Sequence, residues 1–188
     1  MPKMLFLGYD RTSTSLIARI ESMDWEVEHT SAPVLDFSEY DLVVSFGYRH
    51  IIRKNVLATA RRPPLNLHIS YLPWNRGAHP LFWAAHDGTP IGVSIHEIDT
   101  GIDTGPIVYQ KEVFIDLLEA TFSSGHEALV EAVETLFTNH LEALLGGDYL
   151  ATEQQGVGTI KRVSDLPSGF SWDNKIHETL NRIKLHEI

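Results

Sequence analysis

Two short apolar runs constrain this chain most. Lys3 to Leu7, with Met4-Leu5-Phe6-Leu7 at its centre, stops at Gly8, and Asp41 to Phe46 stops at Gly47. Each is followed by a segment whose apolar residues recur at helical spacing: Ser13 to Met23 carries Leu16, Ile17 and Ile20, and Ile51 to Ala60 runs up to Pro63-Pro64. Uninterrupted apolar runs are what strands buried on both faces require, and strands alternating with helices imply a parallel sheet covered on both sides. Ser and Thr residues ahead of Leu16 are placed to cap the first helix. Trp25 to His29 alternates as a half-exposed strand does.

The later part extends the pattern. Leu65 to His68 predicts a strand opening a loop with Pro73 and Gly77, and His79 to Asp87 a short helix ended by Gly88. Gly92 to Ile98 and Ile107 to Phe114 alternate as strands around the turn Asp99 to Gly105, so an antiparallel addition at one edge is expected. Ala120 to Leu145 is the longest helical pattern, closed by Gly146-Gly147. After Pro167, Ile176, Leu180 and Ile183 mark a helix-like run to Ile188 that either packs on the domain or contacts a second copy. The expected fold is α/β: an open, mainly parallel, Rossmann-like sheet with helices on both faces and an antiparallel edge. At 188 residues it is read as one domain, 1–188, with 168–188 as a C-terminal tail.

In such sheets ligands sit beyond the carboxyl ends of the strands, so the segments after Leu7, after Phe46 and from Asn66 onward are suspect. Asn66 and His68 are two apart, and on a strand both side chains share a face. An amide donor beside an imidazole suits an oxyanion, although two strand-end residues bonded to nearby loops fit the spacing equally. Asp99-Thr100-Gly101-Ile102-Asp103-Thr104-Gly105 holds two carboxylates in a turn, too sparse for a calcium loop. One of them near His68 would fix its tautomer and favour its charged form. Of the aromatic residues at 71, 74, 82 and 83, Trp74 lies in a loop where it could meet a flat ligand, while Phe82 and Trp83 suit a core.

Several classes are disfavoured. A net charge of -10 is unsuited to a nucleic-acid backbone, and no apolar run is long enough for a membrane span. Cys 0 removes thiolate nucleophiles and disulfides, and no zinc-protease His pair, P-loop or dinucleotide fingerprint occurs. No metal is expected, and the cytoplasm is the default compartment.

The stretch Asn66-Leu67-His68-Ile69-Ser70-Tyr71-Leu72-Pro73, then Asn75-Arg76-Gly77-Ala78, then Gly92-Val93-Ser94-Ile95-His96 and the Asp99 to Gly105 turn resembles the catalytic domain of the folate-dependent formyltransferases. Order and spacing agree over about 40 residues, with weaker similarity from Met4 to roughly Pro167. The resemblance implies Asn66, His68 and Asp103 as the catalytic trio and N10-formyltetrahydrofolate as co-substrate. It implies that the pterin lies against two backbone stretches, Arg49, His50 and Ile52 on one side and Ile98, Asp99, Gly101 and Ile102 on the other. Ile69 departs from the family's usual proline without removing a functional group.

Within that family, the run from Arg76 to Trp83 is most similar to the small amino-sugar N-formyltransferases. Small-molecule partners are then expected, a reduced folate and a nucleotide-linked amino sugar, with a homodimer possible and no nucleic acid or membrane. Asp10, Arg11, Ser70, Trp74 and Arg76 become the candidates for the sugar-nucleotide side. At this length no room is expected for the C-terminal domain that helps methionyl-tRNA formyltransferases bind tRNA, and the Gly8 to Thr12 loop does not match the phosphate loop of glycinamide ribonucleotide transformylases. That transformylase, a formyl-folate hydrolase and a non-catalytic folate-binding module are the rival readings.

Overall fold

The computed structural model describes residues 1–186, so the end of the run expected to reach Ile188 lies outside the described residues. The chain order is β1 (Lys3–Gly8), α1 (Leu16–Glu21), β2 (Glu26–Thr30), β3 (Leu42–Phe46), α2 (Lys54–Leu57), β4 (Leu65–His68), β5 (Arg76–Gly77) and α3 (Pro80–Asp87). It continues with β6 (Gly92–Glu97), β7 (Ile107–Glu112), α4 (Phe122–Asn139), α5 (Leu141–Gly146), β8 (Ile160–Lys161) and α6 (Ile176–His186). Six strands form one sheet in the order β2-β1-β3-β4-β6-β7. The first four are parallel, and β6 runs antiparallel to both β4 and β7. This is the expected open, mainly parallel sheet with an antiparallel edge.

Side-chain parity divides the core. Met4, Phe6, Leu42, Val44 and Phe46 point to the face covered by α1, α4 and α5, where Ile17, Leu129, Val133 and Phe137 are buried. Leu5, Leu7 and Val43 point to the other face, which is covered thinly by Phe37 and by Val56 of α2. The helix expected over Ile51 to Ala60 shrinks to that one turn. Residues 49–53 form no helix, and the Thr59 hydroxyl bonds Val56 O while accepting from Phe37 N, tying the end of the turn to the neighbouring loop.

Two further departures have local causes. The long helix breaks at His140, whose backbone (φ -115, ψ 16) leaves the helical range while its ring stacks on Tyr109 at 3.7 Å. Leu141, Leu144 and Leu145 of α5 then turn into the core. Ser15 precedes α1 without capping it; the hydroxyls of Thr14 and Ser15 donate to Glu134 of α4 instead. The tail packs on the domain: Ile176 and Leu180 are buried, and α6 contacts α3. No helix among the described residues is long and apolar enough to cross a membrane.

Candidate active site

At the carboxyl end of β4 the chain brings three of its predicted residues together. Asn66 Nδ2 lies 3.4 Å from Asp103 Oδ1, and His68 Nε2 lies 3.6 Å from Asp103 Oδ2. Asp103 reaches them because its loop is forced into shape. Its own backbone is left-handed (φ 51), Asp99 accepts from Gly101 N and the Thr104 hydroxyl, and Gln154 Nε2 donates to the carbonyls of Asp103 and Gly105 at 2.8 Å. The Gly77 amide donates to Asp103 Oδ2 at 2.8 Å. That donor depends on glycine: Gly77 has φ +86, and a Cβ there would collide with the Lys161 carbonyl across the β5–β8 pair.

One residue of the site escaped the sequence. His96 sits opposite Asn66 in the antiparallel register of β4 and β6, almost fully buried. Its Nδ1 lies 2.7 Å from Glu97 O, which makes Nδ1 the protonated nitrogen and leaves Nε2 to accept from Asn66 Nδ2 at 3.1 Å. His96 therefore turns the Asn66 amide nitrogen, and not its oxygen, towards Asp103. The signal was the pairing of β4 with β6, which places residues 66 and 96 side by side.

Charge follows from burial and neighbours. Burial alone would raise the Asp103 pKa, but His68, His96 and the Gly77 N–H outweigh it and hold the carboxyl well below the usual range. It is a carboxylate, and the Gly77 N–H and the Asn66 amide both donate to it. His68 goes the other way. Its burial pushes the pKa below 6.5, against the pull of Asp103 and a backbone bond to Asn75. Burial thus favours the neutral ring, against the charged form that the neighbouring carboxylate favours. Its Nε2 is buried with no hydrogen-bond partner among the described residues.

His79 and His126 are depressed by burial as well. For all three, the unfolded chain takes up protons before the folded chain does, so stability is full above about 6.5 and falls as the pH drops towards the folded values. The melting temperature is expected to decline from pH 7 to pH 5, and His68→Gln to remove part of that decline. A flat profile in the parent chain would contradict it.

The trio opens on a cavity of about 1000 Å³. Arg49, His50, Ile52, Ile98, Asp99, Gly101 and Ile102 all line it, as the resemblance implies. The residues assigned to the sugar nucleotide do not. Asp10 accepts from Thr12 and Ser13 in its own turn, and the Ser70 hydroxyl donates to the Trp74 carbonyl, closing the turn that carries Trp74. Arg76 is held by Gln154, the same side chain that braces the Asp103 loop. Arg11 lines an adjoining cavity of about 640 Å³ and pairs with Glu21. Asp10, Ser70 and Arg76 thus spend polar atoms on contacts within the chain. The cavity is lined instead by Arg162 and, from the tail, by Phe170 and Trp172, residues with no motif to reveal them. Among the described residues no group of three or more His, Asp or Glu is placed to hold a metal ion.

Comparison with known proteins gives the family. Residues 19–140 match the formyl transferase family. The dTDP-4-amino-4,6-dideoxyglucose formyltransferase of Mycobacterium tuberculosis is 30% identical over 148 residues, covering 79% of this chain and 57% of the relative. The chain thus spans little more than half the length of that relative. The structure of the formyltransferase PseJ from Anoxybacillus kamchatkensis, in complex with UDP-4,6-dideoxy-4-formamido-L-AltNAc and tetrahydrofolate, superposes with a TM-score of 0.85 at 32% identity, covering 94% of this chain and 96% of PseJ. The methionyl-tRNA formyltransferase of Thermodesulfovibrio yellowstonii is 38% identical over a shorter stretch, 52% of this chain and 34% of the relative. The catalytic blocks, the sheet that carries them and these relatives all point one way: the chain belongs to the formyl transferase family.

Proposed function

We propose that the chain transfers the formyl group of N10-formyltetrahydrofolate to the amine of a nucleotide-linked amino sugar. The observation that carries this is the convergence of Asn66, His68 and Asp103 on one cavity with room for two substrates. The relatives named for amino-sugar formylation, and the PseJ complex with a formamido sugar and tetrahydrofolate, support the same pair of substrates.

The reaction needs three things at the formyl carbon. The amine attacks it, forming a carbon–nitrogen bond and a tetrahedral oxyanion. The Asn66 amide nitrogen is the donor for that oxygen; its long 3.4 Å bond to Asp103 is the weaker of its two and the one the oxyanion replaces. Neutral His68 has an unfilled Nε2 that takes the proton the amine loses. The imidazolium so formed faces the Asp103 carboxylate at 3.6 Å, which stabilises it as the oxyanion develops. The bond from the formyl carbon to N10 then breaks, and that proton passes to N10 of the departing tetrahydrofolate. Charge builds on His68 only when the intermediate needs it, which a permanently charged residue would not achieve.

Turnover of N10-formyltetrahydrofolate against UDP-, dTDP- and GDP-linked amino sugars, with glycinamide ribonucleotide included, tests the assignment. Turnover with an amino sugar and none with glycinamide ribonucleotide is expected. Turnover with glycinamide ribonucleotide alone would move the chain to the purine reaction.

A further inference from the structure

Asp10, Trp74 and Arg76 do not line the main cavity, so the nucleotide half of the acceptor needs another place. Two cavities offer one. The smaller is lined by Arg11 together with Glu127, Glu131 and Glu134, and Arg11 is already paired to Glu21. Three carboxylates around one committed guanidinium repel a diphosphate.

The other place is the wall that the tail adds to the main cavity. The segment after Pro167 is fixed at the start of α4, where the carbonyls of Trp172 and Asn174 accept the backbone N–H groups of Ser123 (2.8 Å) and Phe122 (3.2 Å). Arg182 and Asn174 both donate to Gly169 O. On this pinned loop Phe170 turns inward onto Phe122, with ring centroids 4.9 Å apart. Trp172 stays at the cavity with 42% of its surface exposed, flanked by His126 at 5.2 Å and His79 at 5.8 Å. His79 is held in the left-handed region (φ 53), and its ring lies against Phe170 and Trp172 of the tail. Burial keeps both imidazoles neutral, so they act as aromatic surface beside the indole.

A cation stands on the same cavity. Lys161 is committed, 3.0 Å from Asp87 and 3.8 Å over the Trp83 ring. Its neighbour Arg162 is exposed and makes no ion pair among the described residues, in a chain of net charge -10. A flat apolar face held rigid, with an uncommitted guanidinium lining the same cavity, matches a nucleobase joined to a diphosphate.

We propose that Trp172, with His79 and His126 beside it, stacks on the base of the sugar nucleotide while Arg162 binds its diphosphate. The proposal rests on the acceptor class proposed above and names the part of the chain that recognises it. The base then lies on the tail side of Asp103 and the folate between residues 49–52 and 98–102, with the amine between them at His68.

The test is calorimetric titration of the full chain with UDP, dTDP, GDP and inorganic pyrophosphate, and separately with tetrahydrofolate. At least one nucleoside diphosphate is expected to bind. Trp172→Ala should weaken it roughly 10-fold or more, in line with base–aromatic stacking, and Arg162→Ala similarly. Pyrophosphate should depend on Arg162 and not on Trp172, Trp172→Phe should retain most of the affinity, and tetrahydrofolate binding should not change. Nucleotide affinity unaltered in both alanine variants overturns the subsite and leaves the acceptor class standing. Loss of affinity in Trp172→Phe as complete as in Trp172→Ala overturns the stacking. A parent chain that binds tetrahydrofolate but no nucleoside diphosphate removes the acceptor class, and the subsite with it.

Discussion

Asp103→Asn is expected to lower kcat/KM by about 10²–10⁴-fold, the range for loss of a group that assists proton transfer. The substitution nearly preserves shape. An asparagine oxygen still accepts from Gly77 N, and the Gln154 brace bonds the backbone carbonyl, which does not change. What disappears is the negative charge 3.6 Å from His68 Nε2. Without it the buried imidazole, already resistant to protonation, has nothing to stabilise the proton taken from the amine. The loss should fall mainly on kcat, with tetrahydrofolate affinity little changed. A variant whose kcat stays within a few-fold of the parent would show that the carboxylate takes no part in the proton's path.

The second large effect is on stability. Phe82→Ala should cost about 3–5 kcal/mol, as deletion of a fully buried phenylalanine does. Phe82 is 1% exposed and its ring meets Trp83, His86, Phe122 and Phe170 at centroid distances of 4.9 to 5.9 Å. It is the point where α3, α4 and the tail join. The cavity left by its removal would loosen the loop carrying Phe170 and Trp172, so nucleotide binding should suffer before folate binding. Denaturant unfolding measures the stability change, and a loss under 1 kcal/mol would mean that the three elements do not depend on this ring.

The sheet was legible because its signal is local. Strands β1 and β3 are apolar runs buried on both faces, and each ends where a glycine lets the chain turn. The trio was legible through a resemblance carried by short, ordered blocks. What stayed hidden depends on residues distant in sequence. His96 acquires its place only when β6 lies antiparallel to β4, and Gln154 reaches Asp103 across 51 positions. Arg76 looks like a ligand contact in a glycine-containing loop, yet Gln154, 78 positions further on, fills its fork once the chain folds back. Likewise, the charge of His68 depends on how deeply β4 is covered, which the spacing of Asn66 and His68 does not reveal. The helix over 51–60 is cut short because residues 49–52 line the cavity outside any helix, an outcome that propensity does not anticipate.

Formyl transfer to a sugar amine through Asn66, His68 and Asp103, as proposed above, leaves a direct trace in the product. Mass spectrometry after incubation with a ¹³C-formyl donor and a nucleotide-linked amino sugar tests it most directly. The account predicts the label on the sugar nitrogen with the parent chain, and almost none with Asn66→Ala or His68→Ala. Label released as formate, or label on the sugar that is undiminished in both variants, would contradict it.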